Sequence, residues 1–120
     1  MTDKNICKNH EISEKMLYKA YKLFFGTLIS NHRLRIINEL RKKPMNVSEL
    51  INKLRLEQTV ISHNLKRLKS CGFVNIEKKG KYRLYSLNTD TILPIMKNID
   101  RHMCKFCVHI VTNNLKRNRR

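Results

Sequence analysis

Apolar residues return at helical spacing in five separate stretches of this chain, and in one stretch between them they alternate instead. Over residues 11–28 the apolar positions are Leu17, Ala20, Tyr21, Phe24 and Leu28, with Lys15, Lys19 and Lys22 set between them. That spacing predicts a helix with one apolar stripe. Ser30 offers an N-cap for a second helix through Leu34, Ile36, Ile37 and Leu40, which closes on Arg41-Lys42-Lys43 before Pro44. Cations suit a helix carboxyl end, and proline cannot continue the helix. Asn46-Val47-Ser48-Glu49 resembles a capping box, and Val47, Leu50, Ile51 and Leu54 predict a short third helix behind it. After a tight link at Arg55-Leu56-Glu57, a fourth helix is expected from about Gln58 to Ser70, with Val60, Ile61, Leu65 and Leu68 inward.

Gly72 follows, at a position where a left-handed cap is easiest for glycine. Phe73–Glu77 and Tyr82–Leu87 then take strand character on either side of Lys78-Lys79-Gly80-Lys81, which predicts a β-hairpin. From Thr91 to about Leu115 the helical period returns in Ile92, Ile95, Met96, Ile99, Met103, Phe106 and Ile110. The expected fold class is mainly α with a two-stranded β-wing, a winged helix-turn-helix. One domain should span residues 1–115, with the helix-turn-helix at 46–70, the wing at 73–87 and a basic tail at 116–120. The helices at 11–28 and 91–115 keep apolar stripes that a second copy would bury, so a homodimer is expected; folding back on the same domain is the alternative.

Charge sharpens this picture. The chain has 120 residues, with Lys+Arg 26 against Asp+Glu 9 and a net charge of +17. Such a balance predicts polyanion partners, nucleic acid before anionic membrane. No apolar run approaches the ~20 residues of a spanning helix. The polar stretch 1–10 has no signal-peptide pattern, so the expected setting is cytoplasmic, with the cysteines as thiols or metal ligands. No paired carboxylates, Ser-His-Asp set or phosphate loop is apparent, so an enzyme is not expected.

In a helix-turn-helix the first residues of the second helix face base edges. Here these are Gln58, Thr59, Ser62, His63 and Lys66. Gln bonds an adenine edge, Thr and Ser bond base or phosphate, and Lys66 and Arg67 suit phosphates. The wing tip adds Lys78, Lys79, Lys81 and Arg83 beside Gly80, fit for phosphate or minor-groove contact. Ser62 could equally bond its own backbone, and a lone His63 could be a solvent-facing polar group.

Residues 28–88 resemble the core of the ArsR/SmtB winged-helix repressors. Ser30–Ile37, Val47–Leu50, Gln58–Leu65, Leu68–Val74 and Gly80–Tyr85 carry the resemblance. It implies homodimers that repress by binding double-stranded DNA and release it when a metal or other inducer binds. The family's thiolate sensor segment reads Asn46–Leu50 here, without sulfur. Its last-helix metal site falls on Asp90-Thr91-Ile92, with the apolar Met103 and Phe106 where further ligands belong. Neither familiar sensor site is therefore inherited.

Cys7-x-x-His10 and Cys104-x-x-Cys107 are a different set, with spacings that suit a zinc-class ion. Positions 104 and 107 share one side of a helix, whereas His102 and His109 lie nearly opposite. The expectation is one ion per subunit on Cys7, His10, Cys104 and Cys107. Packing residues and a redox thiol pair are the alternatives, and Cys71 reads as core filler. Competing with a sequence-specific regulator are an architectural or accessory DNA-binding protein and an RNA-binding winged helix.

Overall fold

Residues 12–118 are described by the computed structural model. Six helices and one hairpin follow in order: α1 (Glu14–Leu28), α2 (Asn31–Lys42), α3 (Val47–Leu54), α4 (Gln58–Ser70), β1 (Val74–Lys79), β2 (Tyr82–Leu87), α5 (Ile92–Phe106) and α6 (Val108–Asn118). Each early helix is started by a side chain that satisfies an orphan amide. Ser13 Oγ accepts from Met16 N at 3.2 Å, and Ser30 Oγ accepts from Arg33 N at 3.3 Å. At α3 the box is complete: Glu49 N donates to Asn46 Oδ1 at 2.8 Å, and Asn46 N donates to Glu49 Oε1 at 3.1 Å.

The three-residue link from α3 to α4 is achieved by Arg55, whose φ is +56°. A left-handed non-glycine residue costs about 1–2 kcal/mol, and nothing in the residue type foretells it. Gly72 closes α4 at φ +75°, where glycine carries no such cost.

Ile36, Ile37, Leu50, Ile61, Leu65, Leu68 and Phe73 form a core at most 1% exposed. The hairpin is docked on it through Val74, Tyr85 and Leu87. Met45, buried between α2 and α3, exchanges two 2.9 Å backbone hydrogen bonds with Tyr85. This short bridge anchors the base of the wing beside the helix-turn-helix. Arg41 pairs with Asp100 at 2.6 Å and holds α5 against α2.

Three expectations change. Residues 91–115 are not one helix: α5 ends at Phe106 and α6 begins at Val108. The β-branched Val108, Ile110, Val111 and Thr112 lower helix propensity there, and Cys107 keeps right-handed dihedrals, so the interruption is slight. The wing turn is tighter than expected, because Lys78 and Lys79 belong to β1 and Lys79 pairs with Tyr82. Only Gly80 and Lys81 make the loop, with Gly80 at φ +62°, as a two-residue hairpin turn requires. The expected tail is helical as far as Asn118. On α1, Ala20 and Tyr21 are left exposed, as a stripe awaiting a second copy requires, and contact with the core comes from Phe24 and Leu28 in its carboxyl half.

Candidate nucleic-acid interface

Helix α4 buries Ile61, Leu65 and Leu68, and this fixes which of its sides faces solvent. Gln58, Thr59, Ser62, His63 and Lys66, all read from the sequence as DNA-facing, are exposed. Residues 59, 62, 63 and 66 recur at three- and four-residue spacing, so they line one side of the helix.

The hairpin continues this surface. Lys78, Lys79, Lys81 and Arg83 are all exposed. Lys78 and Arg83 stand directly opposite each other in the ladder, a like-charge pairing that destabilises an isolated hairpin. Glu77 approaches Lys79 at 3.9 Å on the open surface, which neutralises little. Between α4 and the wing lies a cleft of about 420 Å³ walled by Ser62, Lys66, Lys69, Arg83 and Tyr85. Cations thus converge from the helix and from the strand. Lys69 was not among the sequence candidates; its spacing from Lys66 and Ser62 could have found it.

Arg67 is placed differently from its neighbours. It is half-buried, and its Nε donates to Thr27 Oγ1 at 3.2 Å. Thr27 is fully buried and in turn donates to Leu23 O at 2.8 Å. Arg33, which sequence reasoning passed over, donates from Nε to Thr27 O at 2.7 Å, from Nη1 to Asn64 Oδ1 at 3.0 Å and from Nη2 to Gly26 O at 3.3 Å. Asn64 is buried on α4 and donates to Val60 O at 2.8 Å. These bonds lock the end of α1, the start of α2 and the middle of α4 together. The available signal was Asn64 itself, a polar residue on the side of α4 otherwise given to Ile61, Leu65 and Leu68.

The thiols are separated. Cys71 is half-buried against the core, its Sγ 3.3 Å from Thr27 Oγ1, in keeping with a filler role. Cys104 and Cys107 are exposed and free, near the α5–α6 junction. Cys7 and His10 lie outside the described residues. Among the described residues no group of three or more His, Cys, Asp or Glu side chains gathers at metal-binding distance, and no helix is long and apolar enough to cross a membrane.

Comparison with known proteins agrees with this geometry. The model of the bacterial regulatory protein arsR family matches residues 30–75, from the cap of α2 into β1. The HTH-type transcriptional regulator NmtR of Mycobacterium tuberculosis is 35% identical over 60 residues, 50% of each chain. The chain therefore spans about half the length of that relative. An uncharacterized HTH-type transcriptional regulator, MJ1325 of Methanocaldococcus jannaschii, is 35% identical over 69 residues, covering 57% of this chain and 78% of the relative. Among solved structures, the homodimeric winged helix-turn-helix DNA-binding domain Mb0332 of Mycobacterium bovis superposes with a TM-score of 0.74 at 19% identity, over 83% of this chain and 93% of its own. From α2 into β1, sequence and fold agree: this chain belongs to the arsR family of winged helix-turn-helix transcriptional regulators.

Proposed function

We propose that two copies of this chain bind one double-stranded DNA operator and repress transcription by occupying it. The observation that carries the reading is the continuous exposed surface formed by Gln58, Thr59, Ser62, His63 and Lys66 of α4 with the cationic wing. α4 enters a major groove, where Gln58 and Ser62 read base edges. Lys66 and the wing cations Lys78, Lys79, Lys81 and Arg83 hold phosphates. Two copies are needed because α1, α5 and α6 expose large apolar side chains, Leu23, Phe25, Phe106 and Ile110 among them. The homodimeric description of the Mycobacterium bovis neighbour supports the same assembly. A zinc-class ion on Cys104 and Cys107, completed by Cys7 and His10, would serve either as a fixed structural link between the copies or as the inducer that releases DNA. An architectural protein or an RNA-binding winged helix would use the wing cations but would have no use for the exposed polar edge of α4.

The test is comparative binding. Gln58→Ala or Ser62→Ala should weaken the selected operator by about 1–3 kcal/mol and leave random duplex nearly unchanged. Lys79→Ala should weaken both equally. Parallel losses on operator and random duplex for all three variants would remove α4 from the reading role, and tighter binding to RNA than to duplex DNA would replace the function.

A further inference from the structure

Next to the cleft that faces the wing, and sharing Lys66 with it, a second cleft of about 300 Å³ is lined by Arg33, His63, Lys66, Arg67 and Ser70. Every ionisable group in that wall is basic. Arg33 and Arg67 are both half-buried, and both are fixed on one residue: Arg33 Nε on the Thr27 carbonyl, Arg67 Nε on the Thr27 hydroxyl. Two guanidinium groups are thus held close together by neutral acceptors. Among the described residues, the ion pairs are Arg41–Asp100, Lys42–Glu39, Lys43–Glu49 and Lys79–Glu77, so no carboxylate answers Arg33, Arg67 or Lys66.

The hydrogen bonds divide the work. All three guanidinium nitrogens of Arg33 donate within the protein, so Arg33 supplies charge and position and has little left to offer a ligand. Arg67 uses only Nε, and among the described residues its two Nη groups donate to nothing. A planar pair of free donors on an immobilised guanidinium suits the bidentate grip that phosphate oxygens accept. Ser70, Lys66 and His63 lie on the same side of α4, at three- and four-residue steps along it; Ser70 Oγ donates to Lys66 O at 2.9 Å, so Ser70 shapes the rim while Lys66 and His63 can close around the anion. Because half-buried cations left without a counter-charge are costly, an ordered arrangement of this kind favours an anion in the cleft.

We infer that this cleft is a built phosphate clamp, gripping a DNA backbone phosphate along α4 on the α2 side of the cleft that faces the wing. Arg67 makes the direct contact, Lys66 flanks it, Ser70 forms the rim with its hydroxyl donated to Lys66 O, and Arg33 acts as a positioning residue through Thr27 and Asn64. The inference rests on the DNA-binding reading above and extends it. α4 would be held by phosphates at two neighbouring clefts, and one of those grips would be wired through Thr27 to α1.

The clamp makes a sequence-independent contribution, so its test is the salt dependence of the full chain on operator and on random duplex. Arg67→Gln should lower affinity about tenfold on both duplexes and reduce the slope of log affinity against log salt by about one. Because Arg67 also bonds Thr27, a second variant keeps that bond: Ser70→Glu places a carboxylate at the rim of the cleft, on an exposed residue. It should lower affinity on both duplexes at least as much, with an unchanged melting temperature. Arg33→Lys, which keeps the charge but loses the three-way hydrogen bonding, should lose affinity on both duplexes without losing the full unit of slope. If the wild-type chain binds duplex DNA while Arg67→Gln and Ser70→Glu keep its affinity and slope, the clamp is refuted and the DNA-binding reading stands. If the wild-type chain binds no duplex even at low salt, both fall together.

Discussion

The thiols at 71, 104 and 107 fall into two settings, one half-buried and two exposed. Cys71 sits against Thr27 and the core, whereas Cys104 and Cys107 are exposed three residues apart, one at the last full turn of α5 and the other at the interruption that follows. Two thiolates on one side of a helix supply half of a tetrahedral zinc-class site. Dialysis of reduced protein against zinc should therefore leave one equivalent per chain, and Cys104→Ser/Cys107→Ser should hold none. Thiolates must lose their protons to ligate, so binding should release protons and weaken as the pH falls. Reduced wild-type protein that retains no zinc, cadmium or copper(I) after loading would leave these cysteines as surface residues. A buried polar residue poses a different problem. Asn64 is explained only by Arg33, thirty-one positions earlier, and no local pattern joins the two.

Local chemistry did set most of the elements. The Asn46/Glu49 box, the Ser30 cap, the Pro44 stop and the glycines at 72 and 80 each act within a few residues of themselves, so they could be read before any fold was known. Asn46→Ala removes one arm of the box on a helix of only eight residues. It should cost about 1 kcal/mol, or roughly 4 °C in melting temperature, with DNA affinity of the folded protein unchanged. A melting temperature equal to that of the wild type would mean that α3 is held by its packing alone. The exposed row on α4 was legible for the same reason, since period 3.6 and the inward Ile61, Leu65 and Leu68 dictate what remains outside. Contacts across the chain were not legible. The Met45–Tyr85 bridge, the Arg41–Asp100 pair and the Thr27 network join residues far apart in sequence. The left-handed Arg55 ends α3 ahead of a two-residue link to α4, and no residue type at that position signals it. The break at Cys107 was hidden by an apolar period that runs through it almost unchanged.

Assembly brings two opposed forces into play, and salt separates them. Leu23 and Phe25 on α1, Phe106 on α5 and Ile110 and Leu115 on α6 are all more than half exposed in one chain, and burying them against a second copy would favour association. Each chain also carries a net charge of +17, so the copies repel over a distance that shrinks as salt is added. Salt should therefore strengthen the dimer. DNA binding should respond in the opposite sense, because each phosphate contact releases counterions, and six contacts give a slope of about −5 in log affinity against log salt. Sedimentation between about 0.05 and 0.2 M salt should show a species of twice the 14.4 kDa chain mass, its dissociation constant falling over the range in which operator affinity drops. Ile110→Asp, on a side chain 60% exposed, should leave the folded chain intact but shift it to monomer. That variant should lose the advantage of a two-half-site operator while binding a single half-site as the wild type does, because the two reading helices must be about one DNA turn apart to act together. A wild-type chain that sediments as a monomer throughout would overturn the dimer, and an Ile110→Asp protein that still pairs and still favours the double site would place the contact between copies elsewhere.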